Sequence, residues 1–298
     1  MPTLRDKLAL GKFVVTAEIA PPLSASPAAL LEKVEPLRGL ADAVNVTDAA
    51  GAKAAMSSFA AAALLVREGF EPVLQITCRD RNRIALAGDL LGAAAQGVEN
   101  LLILHGDEPS VGDMPEAKPV YDLDSRAVMT LARDMRERGE LPSGRKIAPA
   151  PRFLIGCADS PVDPAPDWKP KGLEAKIAAG AEFAQTQFCF DLDVARRYVG
   201  RLAEEGTLSR LKLIVGVGVL ASAKQARFMR ENLFGVFIPD AIVERLDAVA
   251  DPRAEGRTIA AEVIAALRDF DGVAGVHVMA PLNGGAAIAD TLREAGVG

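Results

Sequence analysis

Apolar runs alternate with amphipathic stretches along almost the whole chain. Eight short runs are predicted to be β-strands: Phe13–Ile19, Ala43–Val46, Pro72–Cys78, Leu101–Leu104, Arg152–Gly156, Phe183–Phe188, Leu211–Val215 and Gly275–Met279. A continuous apolar run is typical of a strand buried on both faces, as in a parallel sheet. Each run is followed by sequence with a helical pattern, and this alternation of strand and helix predicts a parallel sheet.

The number of these units predicts the fold class. Eight βα units in 298 residues favour a closed (β/α)8 TIM barrel, because such barrels usually need about 250 residues plus insertions. We see no shift in composition and no linker, so residues 1–298 are interpreted as one domain. Two helical patterns, Asp240–Val249 and Arg257–Phe270, precede the last strand and are interpreted as an insertion in the barrel.

Composition argues against several classes of function. The net charge is −6 and no cluster of Lys and Arg occurs, which argues against nucleic acid as a partner. No apolar run approaches the roughly 18 residues that cross a membrane. The N-terminal sequence lacks the pattern of a signal peptide, so we expect a cytoplasmic protein. Cys78, Cys157 and Cys189 lie in or just after apolar runs without metal-type spacing, and we expect them to be buried thiols.

The carboxyl ends of barrel strands are where catalytic residues gather. The polar residues at the predicted ends are Glu18, Thr47, Asp48, Thr77, Arg79, Asp80, His105, Asp107, Gln185, Gln187, His277 and Asn283. The clearest stretch is Leu101–Pro109 (LLILHGDEP), in which glycine beside an acid lets a flat ligand approach the backbone. Gly-Asp is equally common in solvated turns, so this stretch alone leaves both interpretations open.

Two carboxylates stand out among these residues. Glu18 lies in the apolar sequence VTAEIAPP, where partial desolvation is expected to raise its pKa and suit it to general acid catalysis. A buried ion pair is the alternative interpretation. Asp107 follows a glycine and is expected to stay ionised more easily. Two carboxylates in different environments are typical of acid–base catalysis.

Gln185 and Gln187 share one face of a predicted strand. Amides that point into the barrel can read the donor–acceptor edge of a heterocycle, or they can form a hydrogen-bonded core layer. Further along, Gly216–Ala221 (GVGVLA) fits the dinucleotide pattern G-x-G-x-x-A. That pattern belongs in a first βα turn, so we interpret this late occurrence as a glycine-rich barrel loop.

Five segments resemble methylenetetrahydrofolate reductases in order and spacing: TAEIAPP at 16–22, VTDAAGA at 46–52, LLILHGDEP at 101–109, KIAAGAEFAQTQFCFD at 176–191 and GVHVMAPLN at 275–283. The resemblance covers nearly the whole chain. It implies a TIM barrel that binds FAD and interconverts 5,10-methylenetetrahydrofolate and 5-methyltetrahydrofolate. The reductant would be NADH or NADPH, with hydride passing through the flavin in ping-pong order. It also implies a homo-oligomer, either a dimer or a tetramer.

The resemblance also assigns residues to roles. Glu18 and Asp107 would be catalytic, and together with Gln187 they would bind the folate. The flavin contacts would fall on Thr47, Gln75, His105, Gly106, Asp107, Tyr121, Gly156, Ala158 and Lys176. The sequence departs from the family at several of these positions. Relatives often carry Arg where His105 stands, Tyr at Ala158 and His at Gln75, and an aromatic residue at Ala223 that packs on the substrate.

Several readings of function stay open at this point. The same fold can work mainly in the oxidative direction, in methyl-group catabolism, because residues do not encode direction. The altered flavin contacts favour a flavin-free variant that binds folate or transfers hydride directly. A non-catalytic subunit is a further alternative, although Glu18, Asp107 and Gln187 together speak against it. The choice between NADH and NADPH cannot be predicted from these residues.

Overall fold

A computed structural model describes residues 2–233 and 235–297. In it, eight parallel strands pair in chain order and β8 returns to pair with β1, which closes the barrel. The strands are β1 (Val14–Ile19), β2 (Ala43–Val46), β3 (Pro72–Thr77), β4 (Asn100–Leu104), β5 (Leu154–Asp159), β6 (Phe183–Phe188), β7 (Lys212–Gly218) and β8 (Val273–Met279). The predicted (β/α)8 barrel is confirmed.

The described part of the chain contains eleven α-helices: α1 (Leu4–Ala9), α2 (Pro27–Val34), α3 (Ser58–Arg67), α4 (Arg83–Ala95), α5 (Ser125–Arg138), α6 (Lys171–Ala179), α7 (Leu192–Glu204), α8 (Ala223–Asn232), α9 (Asp240–Asp247), α10 (Pro252–Arg268) and α11 (Gly284–Glu294). Helices α9 and α10 are the two extra helices predicted before the last strand. Among the described residues, no helix combines the length and apolarity that crossing a membrane requires.

Side-chain caps fix where several helices begin after the strand ends. The side chain of Asn82 accepts hydrogen bonds from the backbone N of Ile84 and Ala85 at the start of α4. Asp124 and Asp191 cap α5 and α7 in the same way. Each cap satisfies backbone donors that the first helical turn leaves unpaired. The caps therefore set the lengths of the loops at the carboxyl ends of β3, β4 and β6.

Helix α1 was not predicted, and it packs across the amino ends of the strands. Its buried residues Leu4 and Leu8 join a cluster with Val14, Ala43, Val73, Leu102, Leu154, Phe183 and Ile214. Glu71, just before β3, accepts from the backbone N of Leu4 at 2.8 Å. Lys7 donates to Asp42, just before β2, at 2.5 Å. The sequence signal for this helix is the capping box formed by Thr3 and Asp6.

Strands β5 and β7 both run three residues beyond their predicted ends. In β7, a Cβ on Gly216 would lie 2.3 Å from the carbonyl oxygen of Thr186, and one on Gly218 would lie 2.6 Å from the ring of Phe190. Only glycine fits at such close approaches within the sheet. The interpretation of the glycine motif as a loop is therefore wrong for these two positions, whose glycines are required by packing.

Candidate active site

A cavity of about 180 Å³ opens at the carboxyl ends of the strands. Its lining residues are Glu18, Gln75, Leu102, Leu104, Ala158, Asp159, Ser160, Gln185, Thr186, Gln187, His277 and Met279. Four residues predicted for the site meet here from four different strands: Glu18 from β1, Gln75 from β3, Ala158 from β5 and Gln187 from β6. Barrel closure thus brings together polar side chains that lie far apart in the sequence.

Glu18 shares one carboxylate oxygen between two neighbours. The amide Nε2 of Gln75 donates to Oε2 of Glu18 at 2.8 Å, and Nε2 of His277 lies 3.5 Å from the same oxygen. Burial raises the pKa of Glu18, but the hydrogen bond and charge of His277 and the bond from Gln75 outweigh it, so the pKa lies below its ordinary value. The predicted upward shift is wrong, because these two partners lie far away in the sequence, His277 on the neighbouring strand β8 and Gln75 on β3.

A buried polar layer forms the floor below Glu18. The amide of Gln185 donates to Oγ1 of Thr16 at 2.9 Å and to Oδ1 of Asn45 at 3.1 Å, and Asn45 donates back to Gln185 at 2.6 Å. Thr16 Oγ1 lies 2.9 Å from Nδ1 of His277. The core-layer interpretation therefore holds for Gln185. His277 connects this layer to Glu18, since its two ring nitrogens face the two groups.

Gln187 differs from Gln185 although both amides line the cavity. Gln187 is half-buried, and its Oε1 accepts from the backbone N of Phe188 at 3.1 Å. Its Nε2 donates to no other described residue. The sequence places both glutamines on one face of β6, and the structure separates them by their partners. Gln187 has donors free for a ligand, whereas Gln185 is fully used within the protein.

The second carboxylate in the cavity is Asp159, which the sequence analysis missed. The hydroxyl of the buried Tyr198 donates to Oδ2 of Asp159, and Nζ of Lys176 lies 3.9 Å from its Oδ1. Burial raises the pKa of Asp159 above its ordinary value, and the Tyr198 bond and the Lys176 charge offset only part of that rise. Lys176 itself donates to the carbonyl oxygen of Ala158 at 2.6 Å. Asp159 was missed because β5 was predicted to end at Gly156.

The other predicted carboxylate, Asp107, does not line this cavity. It is exposed, and its Oδ2 accepts from the backbone N of Gly51 at 2.7 Å, which ties the loop after β4 to the loop after β2. Beside it, the rings of His105 and Tyr121 stack with centroids 4.5 Å apart and an interplanar angle of 3°. Gly106 between them has φ +97°, a conformation that favours glycine. These residues form a partly exposed rim.

Two more predicted flavin contacts have different surroundings. Thr47 is buried, and its hydroxyl forms no hydrogen bond with any described residue. Gly156 lies against Phe183, and a Cβ there would sit 2.2 Å from the Phe183 ring. Packing therefore explains the glycine at 156, which is not among the residues that line the cavity. Ala223, where relatives carry an aromatic residue, is buried in the cluster that includes Phe188 and Met279.

The three cysteines are buried, as expected. Burial raises the pKa of Cys78 to about 11, that of Cys157 to about 12 and that of Cys189 to about 11. A thiol with such a pKa stays protonated near neutral pH and is a poor nucleophile. The prediction that these residues act as small buried hydrophobic groups is confirmed by their burial.

Comparisons with known sequences identify the family of this chain. The family model described as methylenetetrahydrofolate reductase matches residues 3–296. A probable methylenetetrahydrofolate reductase (NADPH) from Caenorhabditis elegans is 30% identical over 159 residues, which cover 52% of this chain and 21% of that protein. The aligned stretch thus spans about a fifth of that relative.

Solved structures show the same fold at low identity. A protein from Clostridium thermocellum that binds two copies of 5-methyl-5,6,7,8-tetrahydrofolic acid has a TM-score of 0.65 and 14% identity, covering 98% of this chain and 97% of that one. EDTA monooxygenase from Chelativorans sp. BNC1 has a TM-score of 0.55 and 11% identity, with coverages of 95% and 92%. These likenesses concern the fold, whereas the family model spans nearly the entire sequence. The chain belongs to the methylenetetrahydrofolate reductase family.

Proposed function

We propose that this protein interconverts 5,10-methylenetetrahydrofolate and 5-methyltetrahydrofolate, with NADH or NADPH as the second substrate. The observation that carries the proposal is the arrangement of Glu18, with its partners Gln75 and His277, opposite the free amide of Gln187 in one cavity. A carboxylate and an amide with free donors complement the mixed donor–acceptor edge of a pterin. Membership of the family supports the same reaction class.

Glu18 is proposed to handle the proton of the ring-opening step. In the reductive direction, N10 of the folate gains a proton while N5 becomes part of a cationic iminium. The Nε2 atom of His277 lies 3.5 Å from Oε2 of Glu18, and Glu18 is proposed to deliver the proton to N10. The carboxylate left behind has a lowered pKa and stabilises the iminium by its negative charge.

Gln187 and Asp159 complete the proposed site. Gln187 would orient the pterin through its free amide hydrogens, because its own carbonyl is held by the backbone of Phe188. Asp159, with its raised pKa, brings a carboxyl group that accepts a proton more readily than Glu18 does. Two carboxyl groups whose environments push their pKa values apart are typical of sites that move protons.

FAD is proposed as the redox cofactor. When bound, a flavin transfers hydride between a nicotinamide and the folate. The unpartnered hydroxyl of Thr47 fits such a ligand, as do the positive φ of Gly106 and the stacked rings of His105 and Tyr121. These residues and Lys176 would hold the group. We leave Gln75 and Gly156 out of the proposed contacts. The amide of Gln75 donates to Glu18, and the Phe183 ring packs against Gly156.

Direct hydride transfer without flavin is the second candidate. Two predicted flavin contacts form hydrogen bonds within the protein, which favours this candidate. Asp107 accepts from the backbone N of Gly51, and Lys176 donates to the carbonyl oxygen of Ala158. On this reading, the nicotinamide would deliver its hydride straight to the folate. The same Glu18, His277 and Gln187 would serve both candidates, so the folate chemistry does not distinguish them.

The absorption spectrum of the purified protein tests both candidates. We expect flavin in the supernatant of heat-denatured protein, bleaching of bound flavin by NAD(P)H, and reoxidation by methylenetetrahydrofolate. Colourless protein that forms 5-methyltetrahydrofolate from NAD(P)H without added FAD would overturn the flavin proposal and support direct transfer. Protein that turns over neither folate, with or without FAD, would overturn the proposed function.

A further inference from the structure

A second cavity lies on the outer surface of the barrel, between α4 and α5. Its volume is about 590 Å³, against about 180 Å³ for the cavity that holds Glu18. No residue lines both cavities. The walls are mostly apolar and come from α4, from α5 and from the connector that follows α5, including Leu131 and Leu141. Ligand sites in proteins usually measure about 300–1,000 Å³, so this cavity has the size of a ligand site.

Helix α4 carries more apolar surface than the barrel core uses. Leu86, Leu90 and Ala93 are fully buried against the barrel. Ile84 and Leu91, two turns apart on α4, line the outer cavity with 80% and 37% of their surface exposed. A helix that packs on a barrel normally has one apolar stripe. The second stripe lies on a concave surface that no described part of the chain covers.

Gly88 widens this cavity from the middle of α4. Its φ is not positive, and a Cβ built on it meets no atom within 4 Å. Neither a turn nor a close approach therefore requires glycine here, although glycine is unfavourable in a helix interior. The missing side chain leaves open space next to Ile84 and Leu91.

Two of the three charged side chains that line this cavity form ion pairs with described residues, and the third does not. Arg83 makes an ion pair with Asp122 at 2.8 Å, and Asp134 makes one with Arg133 at 3.0 Å. The guanidinium of Arg145 forms neither a hydrogen bond nor an ion pair with the described residues. An apolar cavity with one free cation at its edge complements a ligand with an apolar body and one negative charge.

We propose that this cavity binds a small amphipathic carboxylate, with its hydrocarbon chain between α4 and α5 and its carboxylate on Arg145. A medium-chain fatty acid has this chemistry. A second copy of the chain is the rival occupant, because Ile84 is exposed. The concave shape and the single free cation favour the small molecule. This proposal does not depend on the reaction proposed for the cavity at the strand ends.

Calorimetric titration with dodecanoate, below its micelle concentration, tests the proposal. We expect saturable binding at one site. Arg145→Gln should weaken dodecanoate binding by about 10-fold or more, since a charge-assisted hydrogen bond is lost, and should leave binding of neutral dodecanol unchanged. Arg126→Gln, on α5 but outside the cavity, is the matched control and should bind dodecanoate normally. Gly88→Leu should narrow the cavity between Ile84 and Leu91 and weaken binding of both ligands.

Two results would overturn the proposal. One is the absence of saturable dodecanoate binding to the unmodified protein. The other is undiminished binding by Gly88→Leu, with thermal melting used to verify that this variant is folded. If Gly88→Leu does not fold, the exposed Arg145→Gln variant decides the matter alone, and equal dodecanoate affinity would overturn the proposal. A dimer that Ile84→Glu dissociates, without dodecanoate binding, would assign the cavity to a second copy of the chain.

Discussion

The side-chain amide of Gln75, on β3, donates to Oε2 of Glu18, on β1, at 2.8 Å. This bond stabilises the ionised form of Glu18 and contributes to its lowered pKa. Gln75→Met keeps the bulk of the side chain and removes the donor, so the pKa of Glu18 should rise. The fall in the rate of methylenetetrahydrofolate reduction with rising pH, which reports loss of the proton on the donor, should then move to higher pH. Gln96→Met, on the surface, is the control, and an unmoved fall in Gln75→Met would mean that the fall does not report Glu18.

Glu18→Gln should separate the two halves of the proposed reaction. The substitution keeps the shape of the side chain and removes the proton donor, and general acid catalysis is typically worth about 10²–10⁴-fold. In stopped-flow experiments, reduction of bound flavin by NAD(P)H should be near normal, whereas reoxidation by methylenetetrahydrofolate should slow by about 10²-fold or more. Equal slowing of both steps would indicate a structural role. The exposed Glu32→Gln variant controls for loss of charge.

Gln185 and Gln187 form a matched pair for separating stability from binding. Gln185→Ala breaks the buried layer with Thr16 and Asn45, and unpaired buried groups cost about 1–3 kcal/mol, so the free energy of unfolding should fall. Gln187→Ala should leave stability nearly unchanged and raise the KM for folate severalfold. Denaturant unfolding and steady-state kinetics measure the two effects. Loss of stability in Gln187→Ala would assign it to the core instead.

Asp159 should make stability depend on pH. Its pKa is raised in the folded protein, so its contribution to stability is full below its unfolded pKa and is lost as pH rises through the folded pKa. We therefore compare the free energy of unfolding of Asp159→Asn with that of the unmodified protein. This difference should favour the variant more at about pH 7 than at about pH 4. Denaturant unfolding at the two pH values measures the difference.

Asp163 provides the opposite control, because its ion pair with Arg197 lowers its pKa. The stability that it contributes is present above its unfolded pKa and is lost as pH falls through the folded pKa. Relative to the unmodified protein, the free energy of unfolding of Asp163→Asn should therefore be lower at about pH 7 than at about pH 4. Parallel pH trends in Asp159→Asn and Asp163→Asn would contradict the raised pKa of Asp159.

The three thiols should be inert in the folded protein. Their pKa values of about 11, 12 and 11 leave almost no thiolate near neutral pH. A colorimetric disulfide reagent should label the native protein slowly and all three cysteines rapidly in denaturant. Rapid labelling of one cysteine under native conditions would show that its surroundings open easily.

Much of the barrel can be read from the sequence because strand formation here follows local patterns. The bounds of β2 and β6 are those predicted, since each strand begins and ends at a clear change of pattern. Helix α1 is short and begins ten residues before the first strand, so its role at the amino end depends on contacts distant in sequence. Local patterns thus predict the strands and helices, whereas the contacts between them depend on closure of the barrel.

The site was predictable as a set of residues but not as an electrostatic environment. Glu18, Ala158 and Gln187 were identified, and they line one cavity. The direction of the Glu18 pKa shift depends on His277, about 260 positions away, and no pattern along β1 reports it. Asp159 was missed for a related reason: the ladder between β5 and β6 extends the strand to Asp159, although its sequence becomes polar there.

The interior of the barrel is packed with side chains, and helix α1 covers its amino end. Leu4 and Leu8 close the amino end, and Lys7 anchors the helix to the segment before β2. A ligand that reaches Glu18 must therefore enter and leave through the opening at the carboxyl ends of the strands. If both proposed substrates bind in this one cavity of about 180 Å³, each substrate in excess should inhibit binding of the other.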